Sequence, residues 1–136
     1  MKILVTGGRD FTSYDQRMWL HAGLNLLHSM QPITELIEGG ANGADLAAKN
    51  WALWRKGCGD KLILTTVAAE WEKHSPLRVG AKNPAGAIRN RKMAKLAPDV
   101  VLATPGGRGT ADMVTVAKAA GLRVIYLEKM PVTKNA

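Results

Sequence analysis

Five short apolar segments alternate with four amphipathic segments, and this alternation predicts an α/β, Rossmann-like fold. The apolar segments are typical of buried parallel strands, and no hairpin signal separates consecutive segments. Right-handed crossovers then favour an open parallel five-stranded sheet in the order 3-2-1-4-5, with helices on both faces. We expect a single domain over residues 1–130 and a frayed C-terminal tail over residues 131–136.

The first strand and helix have clear boundary signals. The apolar run Lys2–Thr6 ends in two glycines, as a buried strand ends in a turn. Ser13 and Gln16 have capping-box spacing, and a helical apolar repeat then continues until Pro32 ends it. This segment therefore predicts the first βα unit.

The remaining elements repeat the pattern. The second unit combines a strand at Glu35–Glu38 with a helix from about Gly43 to Gly57, which has Ala47, Trp51 and Trp54 on one face. An irregular polar stretch spans Ala69–Asn83, a third helix opens at Pro84, and a fourth ends at Gly121. The other strands are predicted at Lys61–Ala68, Asp99–Thr104 and Arg123–Glu128.

Composition limits the classes of function. The 136 residues carry a formal net charge of +8, which favours anionic partners such as a phosphorylated small molecule or a nucleic acid. No apolar run is long enough to span a membrane, and a single cysteine, Cys58, fits a reducing compartment, so we expect a cytoplasmic protein. Because the three histidines do not cluster, we expect no metal site, and we expect no resident cofactor.

Three glycine-rich loops are the strongest functional signal. TGGRDF, EGGANGAD and TPGGRGT follow strands one, two and four, which are neighbours in the predicted sheet. Glycines allow close backbone approach, and the helices that follow present free N–H groups to an anion, so the loops predict one phosphate-binding crevice. Tight βα turns are the alternative explanation for each loop taken alone. The predicted ligand contacts here are Gly7, Gly8, Gly39, Gly40, Gly43, Gly106, Gly107, Gly109 and Thr110.

Four segments resemble the SLOG superfamily, and its small YspA/cpYpsA-related branch in particular. They are VTGGRDF at 5–11, EGGANGAD at 38–45, IRNRKM at 88–93 and PGGRGTADM at 105–113. The superfamily includes the LOG phosphoribohydrolases, which release bases from nucleoside monophosphates. The resemblance implies a Rossmann-like fold that binds nucleotides or ADP-ribose derivatives, and a homodimer or higher homo-oligomer.

The resemblance also indicates catalytic candidates and one departure. The LOG hydrolases carry PGGxGTxxE with a catalytic glutamate, and this sequence has Met113 at that position. The neighbouring Asp112 is the tentative substitute, and Arg91 matches the arginine that LOG enzymes place against substrate phosphate. Arg89 and Arg108 are further phosphate-binding candidates, since arginine forms bidentate contacts with phosphate. A solvated helix face is the alternative for Arg91 and Arg89.

Five further residues have functional and structural interpretations that the sequence leaves open. Arg9 is either a phosphate contact or a loop ion pair, and Asn42 is either a ligand contact or a helix cap. Asp45 either binds a ribose hydroxyl or stabilises the helix dipole. Trp71 and His74, in the loop after strand three, are candidates to cover a base or to provide an acid–base group.

These observations favour a module that binds a phosphorylated, nucleotide-derived ligand and senses, sequesters or processes it. A LOG-type N-glycosidase is the alternative and would need a carboxylate to replace the missing glutamate. A DNA-binding module is a second alternative, since the chain is basic but has no row of aromatic residues to track a strand. The sequence alone does not decide whether the protein is an enzyme.

Overall fold

The computed structural model describes residues 1–76 and 82–131. In this part of the chain five strands alternate with four helices. In chain order they are β1 (Lys2–Thr6), α1 (Tyr14–Met30), β2 (Glu35–Glu38), α2 (Ala44–Gly57), β3 (Ile63–Thr66), α3 (Ala85–Lys95), β4 (Val100–Ala103), α4 (Arg108–Ala119) and β5 (Arg123–Tyr126).

The strands form one parallel sheet in the order β3-β2-β1-β4-β5, which confirms the predicted fold and strand order. Strands β3, β4 and β5 are shorter than the sequence predicted. Each is limited by the neighbour with which it pairs: β3 matches the four residues of β2, from Glu35 opposite Ile63 to Glu38 opposite Thr66. Val67 and Leu127, just beyond these registers, each still donate one backbone hydrogen bond to the neighbouring strand, and the paired residues end before them.

Side chains alternate between the two faces of the sheet, and each face is covered by two helices. Ile3 points towards the cluster that holds Leu24 of α1 and Trp51 of α2. Leu4, the next residue of the strand, points towards Met93 of α3 and Met113 of α4. Because both faces are buried, the middle residues of the central strands are apolar, as in the parallel strands of α/β proteins, and their polar residues lie at the strand ends.

The helix starts are of two kinds. At α1 the Ser13 hydroxyl accepts the Gln16 N–H at 3.1 Å while the Gln16 side chain accepts the Ser13 N–H at 3.2 Å, so the predicted capping box is present. The helices α2 and α4 begin after Gly43 and Gly107, and neither N-cap has a side-chain hydrogen bond. The free N–H groups of these two helices therefore need partners from elsewhere.

The two tryptophans of α2 are in different environments. Trp51 is fully buried and donates its indole N–H to Asn25 at 2.8 Å, whereas Trp54 is 52% exposed. The sequence predicted both tryptophans on one helix face. Trp54 lies near the end of the helix, where its ring contacts the guanidinium of Arg55 and stays partly exposed.

The described helices include none long and apolar enough to cross a membrane. Of the predicted tail, residues 132–136 lie outside the described part of the chain.

Candidate functional site

A cleft of about 560 Å³ opens at the carboxyl ends of the strands. Its described wall is formed by the loop after β1, the first residues of α2, the start of α3, Trp71, and the loop that joins β4 to α4. This is the edge of the sheet at which the order reverses between β1 and β4, where ligands bind in open α/β sheets.

Eleven of the residues predicted from the sequence line this cleft. They are Gly7, Gly8, Arg9, Asp45, Trp71, Arg89, Gly106, Gly107, Arg108, Gly109 and Thr110. The loops after β1 and β4 thus meet as expected. The glycine-rich segment after β2 contributes chiefly through the side chain of Asp45.

Contacts between backbones hold the loops together. The Gly8 N–H donates to the Pro105 carbonyl at 2.9 Å, and the Ala44 N–H donates to the Gly8 carbonyl at 3.2 Å. Gly43 has a φ of +78°, and a Cβ there would overlap the Gly8 carbonyl. A Cβ at Gly106 would lie 2.7 Å from the Gly8 N. Packing of the loops alone therefore accounts for glycine at positions 43 and 106.

Gly107 and Gly109 are different. A Cβ built at either position would have nothing within 4 Å, and both residues line the cleft together with Arg108 and Thr110. The N-terminal turn of α4 thus faces open space, with uncapped N–H groups and the positive end of the helix dipole. This turn can bind an anion. The start of α2 is less free, since the Ala44 N–H already has a backbone acceptor.

The structure places Arg89, and not Arg91, in the cleft. Arg89 donates from Nη1 to the Gly39 carbonyl at 2.7 Å and from Nε to Oδ1 of Asn90 at 3.0 Å. Arg91 is exposed and donates to the Ala87 carbonyl of its own helix, outside the cleft wall. Side chains two positions apart on an α-helix point about 200° apart around the helix axis. Only one of the two arginines can therefore face the site.

Asp112 is also outside the cleft wall. Its Oδ2 accepts a hydrogen bond at 2.9 Å from Nδ2 of Asn90, which donates as well to the Gly109 carbonyl at 3.2 Å. Asn90 is only 3% exposed and lines the cleft. Asp112 therefore orients Asn90, and through it Arg89, and it does not face the ligand space itself. Met113, at the position of the LOG glutamate, is fully buried in the core.

Five other predicted residues lie outside the described cleft wall: Gly39, Gly40, Asn42, Gly43 and His74. Gly39 and Gly43 are buried behind the wall, and Asn42 is exposed. Gly40 faces β3, where a Cβ would lie 3.1 Å from the Thr66 side chain. His74 lies beside Lys92 and Glu70 in a separate small depression.

Trp71 and Arg9 approach each other at the mouth of the cleft. The Arg9 guanidinium carbon is 6.0 Å from the centre of the Trp71 ring, a cation–π distance. The Trp71 carbonyl accepts a hydrogen bond from Asn83 at 2.7 Å, and a Cβ at Gly86 would lie 3.2 Å from the ring. Glycine at position 86 lets the indole sit against the start of α3. Part of the predicted loop, residues 77–81, lies outside the described residues.

Burial changes the chemistry of Asp45. The side chain is 6% exposed, and desolvation, reinforced by the nearby Glu38 carboxylate, raises its pKa to about 6. A hydrogen bond from the Ala41 N–H and the charge of Arg89 oppose this shift. Asp45 is thus ionised in most molecules at neutral pH and protonates in mildly acidic solution.

Sequence reasoning missed nine residues of the described wall. They are Thr6, Asp10, Phe11, Gln16, Ala41, Gly86, Asn90, Met93 and Pro105. Most adjoin a predicted residue in the chain and carried no chemical signal of their own. Asn90 lies between Arg89 and Arg91, and only the helix register, which the sequence leaves uncertain, would have identified it.

The described residues contain no group of three or more His, Cys, Asp or Glu arranged to hold a metal ion.

Comparison with known proteins agrees with this architecture. The family model of the YspA, cpYpsA-related SLOG family matches residues 1–74, which include β1, β2 and two of the three glycine-rich loops. The chain belongs to this SLOG family. It is also similar to the Gene 61 protein of Mycobacterium phage D29, with 33% identity over 132 residues that cover 96% of this chain and 98% of the phage protein. SLOG membership indicates nucleotide-related binding or processing.

Proposed function

We propose that this protein binds a phosphorylated, nucleotide-derived small molecule, a nucleoside phosphate or an ADP-ribose or NAD derivative, as a sensing, sequestering or processing module. One observation carries the proposal: the uncapped first turn of α4, three arginines and an exposed indole line a single cleft. The arginines are Arg9, Arg89 and Arg108.

The phosphate is assigned to the first turn of α4. Gly107 and Gly109 leave space at this turn, and Arg108 adds a permanent positive charge beside it. Arg89 has two of its N–H groups committed to protein acceptors, and its other donors are available to an anion. Asn90 links Arg89 to the first turn of α4, because it accepts a hydrogen bond from Arg89 and donates one to the Gly109 carbonyl.

The base is assigned to Trp71. Trp71 is 44% exposed and lines the cleft; Asn83 bonds its backbone carbonyl, and Gly86 leaves room for its ring. Stacking on an aromatic ring is worth about 1–3 kcal/mol per base, and it tolerates different bases. The cleft therefore recognises phosphate by charge and base by stacking.

The second candidate is an N-glycosidase of LOG type, which one observation favours. Asp45 is a buried carboxylate in the cleft wall with a pKa near 6, within the range that suits acid–base catalysis. Met113 is buried, and Asp112 lies outside the cleft wall. Glu38 is bonded inside the protein and Asp10 is exposed, so Asp45 is the buried acid of the described cleft wall that suits this reaction.

A ligand panel tests both candidates. Purified protein is titrated calorimetrically with AMP, ADP, ADP-ribose, NAD and cyclic ADP-ribose isomers, and each mixture is analysed by chromatography for released base. Retention without base release supports the binding module, and base release that depends on Asp45 supports the glycosidase. Binding of a DNA oligonucleotide with no binding of any nucleotide in the panel would overturn both and favour the DNA-binding alternative.

A further inference from the structure

Asp45 is unusual because a carboxylate lies almost completely buried in the wall of a cleft assigned to an anion. It belongs to the first turn of α2, and its Oδ2 accepts the Ala41 N–H at 3.2 Å. A carboxylate accepts more than one hydrogen bond, and buried polar groups are normally fully bonded. The backbone N–H of Gly39 also acts on this carboxylate, which still leaves it able to accept a further hydrogen bond from a ligand donor.

Two other acids near this edge are already engaged, and Asp10, which also lines the cleft, is exposed rather than buried. Both oxygens of Glu38 are used inside the protein, by the Gly40 N–H and by the Thr66 hydroxyl at 2.7 Å. Asp112 accepts from Asn90 behind the cleft. Among the described residues that line the cleft, Asp45 is the buried acid with accepting capacity left.

A donor stands beside this acceptor. A Cβ built at Gly39 would contact both the Arg89 guanidinium and the Asp45 carboxylate, so the two groups flank one glycine. Arg89 suits a phosphate, whereas Asp45 repels one. The ligand group at Asp45 should donate a hydrogen bond and lie close to a phosphate, and a ribose hydroxyl has both properties.

We infer that Asp45 accepts a hydrogen bond from a ribose hydroxyl of the ligand, so that the cleft selects ribonucleotides over their deoxy analogues. This inference rests on the proposed nucleotide-binding function and adds the selectivity of the same site. The ionised carboxylate is the better acceptor. Because burial and Glu38 raise the pKa of Asp45 to about 6 while Arg89 lowers it, the selectivity weakens as the pH falls below that value.

The test compares AMP with 2′-deoxy-AMP and 3′-deoxy-AMP by calorimetry at about pH 7.5 and about pH 5. Hydrogen bonds to charged groups predict a wild-type preference for AMP of about ten- to a hundredfold over at least one deoxy analogue at the higher pH. In Asp45→Asn the preference falls to about threefold or less. Asp15→Asn is the matched control, because Asp15 is an exposed carboxylate in the first turn of α1, and it retains the wild-type preference.

Two results overturn the inference in different ways. If the wild type binds AMP and both deoxy analogues with equal affinity, ribose recognition by Asp45 is wrong while the proposed function stands. If neither AMP nor ADP binds the wild type at millimolar concentration, the proposed function fails and the inference fails with it. Inorganic pyrophosphate serves as the fold control, since Asp45→Asn is expected to bind it at least as tightly as the wild type.

Discussion

The substitution Asp45→Asn should stabilise the protein at neutral pH. The pKa of Asp45 is about 6 in the folded chain, against 3.8 for an ordinary aspartate, because burial disfavours the charged form. A carboxyl with a raised pKa binds its proton more tightly when folded, so its contribution to folding stability declines as the pH rises from 3.8 towards 6. Asparagine has nearly the same shape and avoids this loss.

The size of the gain follows from the two pKa values. Each pKa unit corresponds to about 1.4 kcal/mol, so the raised pKa of Asp45 lowers folding stability by about 3 kcal/mol at pH 7.5 and by only about 1 kcal/mol at pH 4.5, where the folded-state carboxyl is protonated. We expect the free energy of unfolding of Asp45→Asn to exceed that of the wild type by up to these amounts, provided that the asparagine oxygen still accepts the Ala41 N–H.

Urea denaturation of the wild type and Asp45→Asn, each at the two pH values, measures the effect. The difference in the free energy of unfolding between the two proteins, taken at each pH, removes the contribution of other titrating groups. A variant that is less stable than the wild type at pH 7.5, or a gain that does not shrink on acidification, would refute the assignment of a raised pKa to Asp45. A stabilised variant with altered ligand selectivity would show a buried acid retained for function.

Three further predictions use other parts of the chain. Arg89→Ala should weaken binding of a phosphorylated nucleotide by about ten- to a hundredfold in calorimetry, since it removes charge-assisted hydrogen bonds, while Arg91→Ala on the same helix should bind normally. Equal losses would contradict the helix register. Gly43→Ala should lower the melting temperature by several degrees, because the residue has positive φ and no space for a Cβ; an unchanged melting temperature would contradict the loop packing. We also propose that α2 forms a homodimer surface through the exposed Leu53 and Trp54; light scattering should show a dimer for the wild type and a monomer for Trp54→Lys, and a monomeric wild type would disprove it.

The sheet could be predicted because its signal is local and repeated. An apolar run such as Lys2–Thr6 followed by glycines has few other interpretations, and right-handed crossovers then limit the sheet to a few strand orders, of which the observed one was predicted. Strand ends were less accurate, since they depend on the registers of neighbouring strands.

The cleft could be predicted only as far as strand order determines it. Because β1 and β4 are adjacent, Gly8 and Gly107 had to lie at one edge. Which arginine of α3 enters the cleft depends on a helix rotation that the sequence does not fix, so the sequence alone could not choose Arg89 over Arg91. The interpretation of Asp45 needed its burial and its neighbours, which are properties of tertiary structure.

The most direct test of the nucleotide cleft is a calorimetric titration of the wild type, Gly107→Val and Gly57→Val with ADP-ribose and AMP. Both glycines have open space around them, so both variants should fold, but only Gly107 lies in the cleft wall. The valine at position 107 would occupy the space assigned to phosphate. We expect binding to the wild type and Gly57→Val and no detectable binding to folded Gly107→Val; unchanged affinity in Gly107→Val would contradict the site.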